Sequence, residues 1–146
     1  MKLRTVKIDI VNTSKNPLPK YAKPGDAGMD ICASENVVIK SFSWKAISTG
    51  LYVEIPSGYE IQIRSRSGMA LKFGAVVMNS PGTIDSGYRG EIKVIIHNND
   101  HRFFKVEKGQ RIAQMVLAPV LTAQFNEVSE LNDSDRGEGG FGSTGI

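Results

Sequence analysis

Asp85 stands inside Pro81-Gly82-Thr83-Ile84-Asp85-Ser86-Gly87-Tyr88-Arg89-Gly90-Glu91, whose turn residues predict a hairpin with the carboxylate near its tip and Tyr88 on the returning limb. A carboxylate so presented can orient a water and accept its proton, and it can equally close an Asx turn on its own backbone. Tyr88 is open to two readings as well, a ligand contact or an ordinary strand aromatic. Arg64-Ser65-Arg66-Ser67-Gly68 ends an alternating segment with two guanidinium groups and two hydroxyls. Arginine forks match phosphate oxygens, and a serine beside glycine lets backbone amides approach an anion, although the same residues suit a solvated strand end. Ala27-Gly28-Met29-Asp30-Ile31 places another carboxylate directly after a glycine turn.

The stretch from Arg136 to Ile146 holds five of the fifteen glycines, together with Arg136, Phe141, Ser143 and Thr144. So much glycine loses a large backbone entropy when ordered. The segment therefore reads as a mobile arm that wraps a nucleoside polyphosphate with amides, a cation, hydroxyls and one ring, or as a frayed terminus. Gly137 to Gly142 matches G-x-G-x-x-G in spacing, but that motif needs a helix after it, and four residues cannot supply one.

The elements that must position these groups read as β nearly throughout. Val6, Ile8 and Ile10 alternate with polar residues; 37–39, 46–47, 51–55, 59–63, 75–78, 92–96, 103–106, 112–117 and Ala123-Gln124-Phe125 follow as strands. Turn residues separate them at Pro24-Gly25-Asp26, Pro56-Ser57-Gly58, Pro81-Gly82 and Lys108-Gly109, and only Ser67 to Phe73 reads as a short helix. Short strands at this spacing indicate an all-β sandwich, jelly roll or closed barrel. Ser129 to Asp135 reads as a polar connector, giving a β-barrel domain over 1–128 and a connector with arm over 129–146.

Composition narrows the function classes. At 146 residues and 40% apolar, one ordinary domain can bury its own core. The net charge of +3 is dispersed, with no basic block of the kind that marks stable nucleic-acid binding. Cys32 is the single cysteine, and His97 and His101 have no cysteine partners for a metal cluster. No apolar run is long enough to cross a membrane, and Met1-Lys2-Leu3-Arg4 leads into an alternating segment rather than a signal-peptide core. The expectation is a soluble, intracellular, cytoplasmic protein.

Taken together, the interruptions between strands resemble the five motifs of the trimeric deoxyuridine triphosphatases (dUTPases), in order from Ala27 to Gly145. Ala27 to Ile31 resembles the first motif, Arg66-Ser67-Gly68 the second, and Asn79 through Gly82-Thr83-Ile84-Asp85 to Tyr88-Arg89-Gly90 the third. Lys108-Gly109-Gln110-Arg111-Ile112-Ala113-Gln114 resembles the fourth and Arg136 to Gly145 the fifth. Three residues depart from the pattern: Ser65 replaces a proline that often precedes the second motif's arginine, Gly87 stands where many members carry aspartate, and Ile31 replaces a common leucine.

The resemblance implies a distorted jelly-roll or β-clip-like barrel, assembled as a homotrimer with the arm swapped onto a neighbouring subunit. It implies hydrolysis of dUTP to dUMP and pyrophosphate, with Mg2+ on the triphosphate and water attacking the α-phosphorus. Asp85 would hold the water, and Arg66, Ser67, Gly68, Gln114, Arg136, Gly142, Ser143 and Thr144 would surround the phosphates. Asp30 would touch the metal through water. Asn79, Gly82, Thr83 and Ile84 would read the uracil edge, with Lys93 counted among the substrate contacts; Tyr88 would lie under deoxyribose and Phe141 would stack on the base. Three other readings remain, one of them a plain β-sandwich binding module for which the five motifs would be coincidental. A dCTP deaminase of the same fold needs an acid/base carboxylate at the base, and a non-catalytic nucleotide sensor would be marked by loss of Asp85, Arg66 or Phe141, all of which are present.

Overall fold

In the computed structural model, which describes residues 2–145, eleven strands and one helix form the described part of the chain. The strands are β1 (Asp9–Asn12), β2 (Gly28–Cys32), β3 (Val37–Ile39), β4 (Trp44–Ser48), β5 (Leu51–Glu54), β6 (Tyr59–Arg64), β7 (Ala75–Val77), β8 (Gly82–Ile84), β9 (Lys93–Asn98), β10 (Phe104–Val106) and β11 (Arg111–Pro119). Helix α1 (Ser67–Phe73) lies between β6 and β7. It ends because Gly74 adopts a left-handed φ of 62°, open to a residue without Cβ, and its N–H closes back on Ala70.

The strands make a four-stranded sheet in the order β2-β11-β6-β8, a three-stranded sheet β4-β9-β7, and the pairs β1-β5 and β3-β10. All these pairings are antiparallel. Alternation decides which way each face points: in β9, Val94, Ile96 and Asn98 are buried while Lys93 is exposed. Ile31, Ile39, Ile47, Ile61, Ile92, Ile96 and Ile112 are the largest fully buried apolar side chains of one continuous core. The result is the jelly-roll-like all-β fold expected from the sequence.

β11 organises the face that gathers several of the candidate site residues. Its Gln114 is the cross-strand partner of Asp30 on β2 and of Arg64 on β6, so these three share one face; Met115 pairs with Met29 and Ile63 toward the core. Between Arg111 and Ala113 the register shifts, with Arg111 opposite Cys32 and Ala113 opposite Ile31. That extra residue, Ile112, is a β-bulge. Without it, Arg111 and Gln114, three positions apart, would project to opposite faces; with it, both join Asp30.

Four expectations are corrected. Ala123-Gln124-Phe125 forms no strand: the last strand ends at Pro119, and Phe125 is 94% exposed with no neighbouring strand to complete its ladder. The first strand spans Asp9–Asn12, so Val6 and Ile8 lie before it. Gly28 to Cys32, read as a turn with a carboxylate after it, is a strand paired along β11. The run from Pro81 to Glu91 is not a closed hairpin, because β8 pairs with β6 whereas the returning chain enters β9, which pairs with β4 and β7.

Asn98 is fully buried at the end of β9 and ties the end of β3 and the loop before β10 to the core. Its Nδ2 donates to the carbonyls of Ile39, Lys40 and Arg102, and its Oδ1 accepts from the Asp100 N–H. Asn98→Ala strips partners from several enclosed backbone groups at once, so it is expected to destabilise the fold by about 3 kcal/mol. Urea denaturation measures this; a loss within error of zero would show that water replaces the amide at no cost.

Candidate active site

The chemistry-bearing residues fall into three separate groups. The first lies where β6 runs into α1. Arg66 takes the N-cap position with extended backbone (φ −87°, ψ 128°) and makes no side-chain cap, since a guanidinium has no acceptor for the first helix N–H groups; it is directed at Asp30 instead. Arg66 Nε donates to Asp30 Oδ1 at 2.9 Å and Nη2 to Oδ2 at 3.5 Å. Arg111 Nη1 also lies 3.5 Å from Asp30 Oδ2. The half-buried carboxylate thus holds two guanidinium groups on the face shared with Gln114. Ser67 and Gly68, in the first turn of α1, are exposed beside them.

Gln114 is fixed from two sides. Its Nε2 donates to the Ser65 carbonyl at 3.0 Å. Across the strand pair, its amide lies against Gly28 so closely that a Cβ there would overlap it. Cys32, opposite Arg111, remains a thiol: burial, and then the charge of Asp30, push its pKa up from the ordinary value. A reactive thiolate therefore has no part in this cluster.

The second group lines a cavity of about 530 Å3 that gathers Asn79, Gly82, Thr83, Ile84, Asp85, Tyr88 and Lys93. Its other walls include Ala46, Ile63, Val77 and Ile95. The volume suits a nucleoside, and the lining mixes apolar walls with a few polar groups as small-molecule sites do. Asp85 is exposed, and its carbonyl accepts the Tyr88 N–H at 3.1 Å in the turn. The Tyr88 ring folds back across Gly90, where a Cβ would come within 3.0 Å of Cε2, and its hydroxyl donates to the Glu91 carbonyl at 3.0 Å. Arg89 braces the same turn through the Ser86 carbonyl and Glu54.

Glu91 was not singled out from the sequence, yet it belongs to this wall. Its Oε1 accepts the Gly50 N–H at 3.0 Å and its Oε2 lies 3.9 Å from Lys93 Nζ. Its hydrogen-bond partner Gly50 lies forty-one positions away, which leaves no local signal for that contact. Neither Arg66, Ser67, Gly68 nor Gln114 lines the cavity.

The third group is the arm. Arg136, Phe141, Gly142, Ser143 and Thr144 sit in successive turns, closed by Gly139 N–H to Arg136 O, Ser143 N–H to Gly140 O and Gly145 N–H to Gly142 O. Arg136 Nε donates to the Gly139 carbonyl at 2.8 Å. Phe141 is fully exposed, and among the described residues no hydrogen bond joins 121–145 to the barrel. The single chain therefore brings together the cavity residues and, separately, the Asp30-Arg66-Gln114 cluster, and it leaves the arm apart from both.

A dUTPase family model matches residues 14–145. The deoxyuridine 5'-triphosphate nucleotidohydrolase of Crocosphaera subtropica is 49% identical over 146 residues, 100% of each chain. That of Clostridium acetobutylicum is 54% identical over 129 residues, 88% of this chain and 89% of the relative. Among solved structures, a mutant dUTPase of Staphylococcus bacteriophage 80alpha with dUpNHpp matches with a TM-score of 0.88 at 31% identity, covering 97% of this chain and 100% of the phage chain. A mutant dUTPase of phage phi11, described with a coordinated structural Mg(II) ion, matches with a TM-score of 0.80 at 26% identity, over 88% of this chain and 100% of that one. Motifs, fold and relatives agree across nearly the whole length: the chain belongs to the dUTPase family.

Proposed function

We propose that the chain hydrolyses dUTP to dUMP and pyrophosphate, which limits uracil incorporation into DNA and supplies dUMP for dTMP synthesis. The observation that carries this reading is the cavity that collects Asn79, Gly82, Thr83, Ile84, Asp85, Tyr88 and Lys93 in a chain of this family. The close relatives named as deoxyuridine 5'-triphosphate nucleotidohydrolases, and the phage dUTPase with dUpNHpp, support the same substrate.

In this reading Asn79 and the backbone of Gly82, Thr83 and Ile84 hydrogen-bond the uracil edge, so that a wrong base leaves enclosed polar groups without partners. Tyr88, held down on Gly90 by its bond to the Glu91 carbonyl, forms a floor beneath the sugar that a 2′-hydroxyl would strike. Asp85 holds the attacking water in line with the α-phosphorus and accepts its proton. Arg66, Ser67, Gly68 and Gln114, with Arg136, Gly142, Ser143 and Thr144 from the arm, neutralise charge developing on the departing pyrophosphate. Phe141 closes the site by stacking on the base, a contact worth about 1–3 kcal/mol.

Magnesium belongs with the triphosphate. Among the described residues no three His, Cys, Asp or Glu side chains converge to make a metal cage, which suits an ion that keeps much of its water shell and is carried by phosphate oxygens. Bound there, Mg2+ would draw electron density from the phosphates. Asp30 is the carboxylate beside the phosphate-facing residues; it would reach the ion through water while its direct contacts remain Arg66 and Arg111.

The three groups of site residues motivate a homotrimer. We assign 1–128 to the catalytic barrel and 129–146 to the connector and arm, with one subunit providing Asp30, Arg66 and Gln114, a second the cavity with Asp85, and a third the arm. The cavity lacks Arg66 and Gln114, and among the described residues the arm makes no hydrogen bond to its own barrel, both of which support a shared site. The proposed location is the cytoplasm; no helix among the described residues is long and apolar enough to cross a membrane, and the one cysteine is unpaired.

Incubation with Mg2+ and each deoxynucleoside triphosphate, with pyrophosphate and ammonia detected separately, tests the reaction: pyrophosphate from dUTP alone is expected, and ammonia from dCTP would indicate a deaminase instead. Asp85→Asn is expected to lower kcat by about 10²–10⁴-fold, while titration calorimetry with dUpNHpp shows nearly unchanged affinity. Near-normal turnover would remove Asp85 from the chemical step. Tyr88→Ala is expected to raise the UTP-to-dUTP ratio of kcat/KM by about tenfold, and an unchanged ratio would move the sugar gate elsewhere.

Complementation tests the shared site. Asp85→Asn and a chain truncated after Asp135 should each be poorly active alone. Co-folded in equal amounts with random assembly, they should regain roughly a quarter of wild-type activity, since each site needs one suitable chain at the Asp85 position and one at the arm position. No recovery in verified mixed trimers would mean that Asp85 and the arm act from one chain.

A further inference from the structure

Ser65 departs from the family pattern at a position where proline is common, and both its carbonyl and its hydroxyl are in use. Its carbonyl accepts Gln114 Nε2 at 3.0 Å. Its Oγ accepts the Val77 N–H at 2.9 Å. Ser65 immediately precedes Arg66, while Val77 lines the cavity, ends β7 and leads through Met78 to Asn79. The turn that follows Val77 is short: the Ser80 N–H returns to the Val77 carbonyl at 3.2 Å. One residue thus touches the strand bearing Gln114 through its backbone and the base-reading turn through its side chain.

A proline at 65 would keep the carbonyl and so the contact with Gln114. It would have no hydroxyl, and the Val77 N–H would lose its acceptor. Val77 is only 3% exposed, so water has little access to compensate an unpaired donor there. The hydroxyl is therefore not a neutral filler of a vacant proline position.

We propose that Ser65 is a positioning residue for substrate recognition: its hydroxyl, by holding the Val77 N–H, fixes the β7 end from which Asn79 and the cavity wall read the base. The inference rests on the dUTPase reading of that cavity. Ser65 touches no substrate atom itself, and it acts on where Asn79 stands rather than on Asp85, which lies beyond β8. Its loss should consequently weaken recognition more than the chemical step.

The test compares wild type, Ser65→Ala and Ser65→Thr. Ser65→Ala is expected to raise KM for dUTP by about tenfold and to narrow the dUTP-to-dCTP ratio of kcat/KM, with kcat within about twofold of wild type; loss of an enclosed hydrogen bond is of that size. Ser65→Thr keeps a hydroxyl and should restore both quantities. Hydrogen exchange of the Val77 amide, followed by NMR without nucleotide, should accelerate in Ser65→Ala and return in Ser65→Thr. A lowered Tm in Ser65→Ala with KM and the dUTP-to-dCTP ratio unchanged would reduce the residue to a structural role and overturn the proposal. Unchanged Val77 exchange would overturn it at the hydrogen bond itself. If wild type released no pyrophosphate from dUTP, the dUTPase reading would fail, and the recognition role of Ser65 with it; the exchange measurement would still report whether the strut exists.

Discussion

The double pairing of β11 is the constraint on which the site depends. One strand, hydrogen-bonded to β2 on one side and β6 on the other, carries Gln114 to the register where it faces both Asp30 and Arg64. The bulge at Ile112 then turns Arg111 onto that same face while Ile112 itself remains in the core. Core packing and polar placement are therefore one problem. A slip of one residue in either ladder would bury Gln114 and expose Met115. Asp30 and Arg66 can form their paired contact because β6 delivers the chain into α1 beside β2's neighbour, so the ion pair is a consequence of the register rather than its cause.

Much of this was legible in the sequence where the signal was local. Helix α1 has the bounds that Ser67 and Phe73 suggested, and the alternations around 51–55, 59–63 and 112–117 appear as strands of the core. What failed was non-local. Gly28 looked like a turn because glycine usually marks one, but its lack of a side chain answers to Gln114, eighty-six positions away. Ala123 to Phe125 has the alternation of a strand, yet a strand requires a partner and none lies beside it among the described residues. The sheet change after β8 has no signature in the turn residues, which suit a closed hairpin equally well.

The candidate site shows the same division. Asn79, Gly82, Thr83, Ile84, Asp85 and Tyr88 are near one another in sequence and meet in one cavity, and Lys93 joins them from the following strand. Glu91 was not singled out, and Ser65 was noted only as a hydroxyl where proline is common, because their contacts to Gly50 and to Val77 and Gln114 exist only once the sheets have formed. Residue type alone suggested hydroxyl and carboxylate; the tertiary partners supply the purpose. The separation of the Arg66 cluster, the cavity and the arm within one chain likewise cannot be read from motif order.

The contact between Tyr88 and Gly90 carries a lesson about mutational tolerance. Gly90 does not need an unusual backbone angle; it is confined because a ring two residues earlier occupies the space its Cβ would fill. The restriction at position 90 is thus a loan from position 88, an instance of epistasis between contacting residues: a side chain at 90 would displace the ring from its bond to the Glu91 carbonyl, whereas in a background with a small residue at 88 that clash is gone. The order of substitution would decide the outcome, so a lineage would relieve the clash at the glycine only by altering the tyrosine first.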